Sequence, residues 1–196
     1  LVLLSMLAYA NAWTHDLAWD DTRFAVSDRF TGLGLTDIAR FFTEDIWAIE
    51  GSDLVLYRPL LLVSIMLDVK LFGDWLVGYH LTNILLHTLS TILVYGFIRH
   101  LLFSIGDRSP LSRHMALLAA IVFCVHPVNT EVVNSIFNRS EMLVTIGVIG
   151  GLLWFLRTRE RQTKKAWFGL SVIYLLTLLC RESAASLPAL TVVMLF

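Results

Sequence analysis

Charge is what this sequence has least of. Acidic and basic side chains make up 16% of its 196 residues and nearly cancel, at −1. A near-zero net charge argues against nucleic acid as a partner, since binding a phosphate backbone calls for a basic patch. Cysteine is also rare. Cys124 and Cys180 stand singly at the ends of apolar runs, without CxxC or zinc spacing, so they read as two small buried hydrophobes and give no support to a disulfide. The six histidines are scattered, and no repeat, low-complexity tract or linker interrupts the chain, so a single domain is expected. Apolar residues, by contrast, are abundant. They reach 57% with a mean hydropathy of +0.71, far more than a water-soluble 22.2 kDa domain could bury. The composition predicts an all-α, multi-pass integral membrane protein.

A helix needs about 20 apolar residues to cross about 30 Å of hydrocarbon, and Trp75 to Phe103 meets this cleanly. Met115 to Val125, Met142 to Leu156 and Ala166 to Cys180 reach span length only with semi-polar flanks. The terminal runs, Leu1 to Trp13 and Ala184 to Phe196, are each too short to cross alone. Residues 1–196 thus read as one part of a transmembrane domain, cut within a first and a last span. A signal peptide at Leu1 to Ala12 is disfavoured because no basic residue precedes it. Between Arg58 and the pair Asp68 and Lys70, the short run Pro59 to Leu67 predicts an interfacial helix with Pro59 in its first turn.

Basic residues orient the bundle. Arg99, Arg108 and Arg113 fall in one connection, and Arg157, Arg159, Arg161, Lys164 and Lys165 in another, so both are expected to be cytoplasmic. The periplasmic or lumenal face then receives Thr14 to Arg58, His126 to Glu141, and Arg181-Glu182. The first of these segments holds nine of the sixteen acidic residues, which marks a substantial extramembrane element.

Candidate chemistry gathers on that outer face. Asp20 and Asp21 follow the first apolar run, where a carboxylate can act as a general base or metal ligand; the bland reading is two acids solvating a loop. Glu44 and Asp45 lie among aromatics, although Thr43 could be a helix cap and the acids merely favour its positive end. Arg58 could grip a phosphate or snorkel to a headgroup. His126 and Glu131, then Arg139 and Glu141, flank apolar segments closely, where ionisable groups are costly unless they face a cavity or one another. Arg181 and Glu182 add a further pair. His80, Asn83 and His87 share one face of the long span, and interhelical hydrogen bonding is a simpler role for them than a metal site.

In this order, Trp19-Asp20-Asp21, Phe42 to Trp47, Tyr57-Arg58-Pro59-Leu60, Asn83 to His87, His126-Pro127 with Glu131, Arg139 with Glu141, and Arg181-Glu182 resemble the GT-C membrane glycosyltransferases. Within them the chain is most similar to the transmembrane and TPR repeat-containing protein O-mannosyltransferases and their bacterial relatives, which usually carry His where Asn129 stands and often Lys where Arg181 stands. The resemblance covers nearly the whole chain and implies an inverting transferase in the bacterial inner membrane or endoplasmic reticulum. Its donor would be a polyprenyl-phosphate sugar, its acceptor a protein or glycan hydroxyl, and its site extracytoplasmic. It implies Asp20 as general base, Asp21 as supporting carboxylate, and Arg58, Arg139 and Arg181 as phosphate ligands, with Arg139 preferred. His126, Glu131, Glu141 and Glu182 would line the sugar or acceptor pocket. No cofactor is implied, and Glu44, Asp45 and Asp20 are the side chains able to hold a divalent cation.

Two other classes make different demands. A transporter should show charged or broken-helix positions at mid-span and repeat symmetry. A membrane scaffold would instead rely on small-residue spacings, of which Gly147, Gly150 and Gly151 are the only hint.

Overall fold

A computed structural model describes residues 1–14, 21, 30, 32–43, 57–161 and 163–195, and all regular structure among them is helical. Helix α1 (Val2–Ala8) runs into a 3-10 turn, and a second 3-10 helix covers Leu35–Phe42. The remaining described helices are α2 (Pro59–Phe72), α3 (Leu76–Ser104), α4 (Pro110–Val125), α5 (Asn129–Asn134), α6 (Arg139–Thr158), α7 (Lys164–Leu178), a third 3-10 helix at Glu182–Ala185, and α8 (Ser186–Val193). Among the described residues, α3 and α6 are long and apolar enough to cross a membrane. With 14 residues, α2 extends only about 21 Å and falls short of a span.

Local signals set the boundaries. Pro59 and Pro110 occupy first helical turns, where the missing N–H has no role, and the side chains of Ser109 and Thr163 accept from Ser112 N and Ala166 N at 3.3 and 3.2 Å. Gly73 closes α2 at φ 55°, a left-handed conformation that lets the chain double back into α3.

Helix α3 is the axis of the bundle, packed against α4 and α6, while α7 and α8 pack on α6. Its hydroxyls fold back onto the helix: Thr88, Ser90 and Thr91 donate to the carbonyls four residues earlier at 2.7, 3.0 and 2.9 Å. His80, Asn83 and His87 are all buried on the face expected for them. His87 makes the anticipated interhelical bond, with Nε2 3.0 Å from the Cys124 carbonyl; because that oxygen only accepts, Nε2 carries the proton. Tyr9 donates to the same carbonyl at 3.1 Å, and Asn129 to that of Phe123 at 2.7 Å. Three side chains therefore satisfy carbonyls in the last turn of α4. Both cysteines are buried free thiols.

Two glycines of α6 serve close helix packing. A methyl group on Gly147 would overlap the Thr177 side chain of α7, and one on Gly151 would press Leu187 of α8 at 3.0 Å. Gly147→Ala is expected to destabilise the bundle by about 1–3 kcal/mol, the usual cost of overpacking. Gly150, with open space beside it, is the control. Thermal unfolding in detergent checks the pair, and equal midpoints would exclude a close approach at Gly147.

Candidate functional site

Three elements meet at one end of the bundle: the start of α2, the start of α6 and the turn between α7 and α8. The Leu60 N–H donates to the Leu179 carbonyl at 3.2 Å, which fixes the start of α2 beside that turn. Here the structure gathers four of the residues singled out in the sequence. Arg58 Nη2 donates to Glu182 Oε1 at 3.0 Å. The same oxygen stands 3.9 Å from Arg181 Nε, and Arg181 Nη1 pairs with Glu141 Oε1 at 2.7 Å. The result is an alternating line of charge, Arg58–Glu182–Arg181–Glu141, drawn from positions up to 124 residues apart.

The two arginines differ in surroundings. Arg181 keeps a quarter of its side chain exposed. Arg58 is only 6% exposed, and its Nη1 makes a long 3.4 Å bond to Ser140 Oγ, while its Nε has no hydrogen-bond partner among the described residues. A guanidinium has five N–H donors, and among the described residues Nε of Arg58 is left unengaged; a buried unsatisfied donor is costly and suits an anionic partner. Glu182 is largely exposed, and its carboxyl is held below the usual range by its own backbone N–H and by the hydrogen bond and charge of Arg58. It therefore stays ionised at neutral pH, with one oxygen bridging two cations as a phosphate oxygen would.

Asp21 lies on a neighbouring flank, 1% exposed. Its Oδ1 accepts from Ser135 Oγ at 3.0 Å and from Phe137 N at 2.8 Å, between α5 and α6. Asp20, Glu44 and Asp45 lie outside the described residues. His126 is exposed and accepts from the Val128 N–H at 3.2 Å, and Glu131 is exposed on α5. Among the described residues neither side chain is hydrogen-bonded or ion-paired to the charged line, and no group of three or more His, Cys, Asp or Glu could hold a metal ion.

The preference for Arg139 as the phosphate ligand requires correction. Its side chain is fully buried and all five donors are engaged: Nε to Asn83 Oδ1 at 2.7 Å, Nη1 to the carbonyl and hydroxyl of Ser64 at 3.2 and 3.5 Å, and Nη2 to Asp68 Oδ2 at 2.5 Å and to the Tyr79 carbonyl at 3.3 Å. No N–H remains for a ligand. In the sequence its counterion Asp68 reads only as the polar end of an apolar run. A signal was present nonetheless, because Asp68 lies three residues after Ile65 and seven after Leu61, on the buried stripe of α2. A charge on an apolar stripe calls for a buried partner.

No family model and no solved structure matches the chain. The protein O-mannosyl-transferase F38B6.6 of Caenorhabditis elegans is 31% identical over 84% of this chain, and Tmtc2 of Drosophila melanogaster 30% over 98%. Human TMTC4, also named a protein O-mannosyl-transferase, is 26% identical over 97%. The chain spans 23%, 20% and 28% of the lengths of these three relatives. Over most of its length, then, this chain is a distant homologue of part of the TMTC protein O-mannosyl-transferases.

Proposed function

We propose that this chain carries the donor-phosphate and base end of a membrane glycosyltransferase that moves a sugar, mannose by analogy with its relatives, from a polyprenyl phosphate to a hydroxyl acceptor. The acceptor oxygen attacks C1 of the sugar, its proton passes to the Asp20 carboxylate, and the bond from C1 to the phosphate oxygen breaks with inversion. Asp21 supports Asp20 from a carboxylate already fixed by Ser135 and Phe137. Arg58 and Arg181 receive the negative charge that develops on the departing polyprenyl phosphate. The site faces the lumen or periplasm, with the lipid tail in the bilayer.

One observation carries the assignment of phosphate to Arg58: a guanidinium more than nine-tenths buried, with an orphaned Nε, beside a second arginine. Lys cannot reproduce a planar fork, so Arg58→Lys is expected to raise the apparent KM for a polyprenyl-phosphate sugar about 10–100-fold, the equivalent of one charged hydrogen bond. Transfer by purified full-length protein measures it. A donor KM within twofold of wild type would remove Arg58 from the phosphate site.

A further inference from the structure

Asp68, Arg139 and Asn83 form a continuous path to Asp21. Asp68 supplies the countercharge that a fully buried guanidinium requires, and its second oxygen accepts from Thr82 Oγ1 at 2.9 Å. With α2 and α3 gripping both ends of the fork, the Arg139 plane is fixed. Its Nε can only donate, so it dictates which end of the Asn83 amide faces it. The Asn83 oxygen takes that bond, and Nδ2 is turned toward the carbonyls of Val133 and Ser135, at 3.0 and 2.9 Å. Those bonds hold the last turn of α5 and the connection to α6 by their carbonyls, and the same connection presents Ser135 Oγ and Phe137 N to Asp21. Arg139 N also donates to the Ile136 carbonyl at 3.2 Å, which ties the connection to the start of α6.

We infer that Asp68, Arg139 and Asn83 are positioning residues, which set the place of Asp21 by fixing the segment from Ser135 to Phe137. The inference rests on Asp20 and Asp21 being the catalytic carboxylates. A purely structural ion pair makes a different demand, since it can be replaced by apolar residues of similar volume with stability retained. The double variant Asp68→Leu with Arg139→Met removes both charges together and withdraws the Nε donor from Asn83. It is expected to fold, to keep the donor KM, and to lose about 10²-fold in kcat, the scale of an ångström-sized misplacement. Asn83→Asp tests the next link, because it keeps the acceptor for Nε and lacks both N–H donors to the connection. The same split of kcat from KM is expected.

Amide hydrogen exchange at Phe137 in full-length protein supplies a readout independent of turnover. Exchange should quicken in both variants, while amides in the middle of α3 keep their protection. A folded double variant with wild-type kcat and unchanged exchange at Phe137 overturns the inference; if that variant does not fold, the same result in Asn83→Asp does so. Wild-type protein that transfers no sugar would overturn the proposed function instead, and exchange at Phe137 would still decide whether the path holds the connection.

Discussion

Asp20→Asn is expected to lower sugar transfer about 10²–10⁴-fold, the usual contribution of a general base. The substitution keeps shape and hydrogen-bonding capacity but leaves no group able to take the acceptor proton. Asp21→Asn is expected to cost less. An asparagine at 21 can still accept from Ser135 Oγ and Phe137 N through its amide oxygen, although the bonds weaken without the charge. Turnover of a polyprenyl-phosphate sugar by purified full-length protein, with folding checked for each variant, measures both. Wild-type turnover in Asp20→Asn excludes it as the base.

The second large effect falls on stability. Arg139→Met alone leaves Asp68 buried at 3% exposure without its counterion, and breaking one side of a buried pair typically costs about 3–5 kcal/mol. A marked fall in unfolding temperature in detergent is expected, together with poor recovery of folded protein. Arg139→Lys should fall between this variant and wild type, since a point charge reaches Asp68 but cannot also hold Asn83, Ser64 and Tyr79. An Arg139→Met protein that unfolds at the wild-type temperature would exclude a structural role for the pair.

What could be read from the sequence depended on the distance between partners. Helix α3 was legible because its signal is local: a long apolar run whose predicted bounds lie one residue from Leu76–Ser104. The first turn of α2 followed from Pro59 for the same reason. Of the site residues, Arg58, Glu141, Arg181 and Glu182 were identified as outward charges, but nothing in their spacing gives the order in which they pair. Arg139 shows the limit most clearly. An arginine beside Glu141 on an outward segment looks like a ligand-facing group, and its partner Asp68 lies 71 residues away. Burial separates Arg139 from Arg58, and burial is a property of how α2, α3 and α6 come together.

The hydroxyls of α3 bear on how such a helix enters a bilayer at all. Thr88, Ser90 and Thr91 count as polar on any residue scale, yet each is bonded to a carbonyl of its own helix. All three are buried in the bundle, so the neighbouring helices meet methyl and methylene groups where the sequence spells threonine and serine. This concealment exists only once the carbonyl four residues back is in place. An extended chain of the same composition would show hydrocarbon both the hydroxyls and the peptide groups. For this segment, polarity belongs to the conformation rather than to the residues, so coiling must come before or together with entry into the membrane.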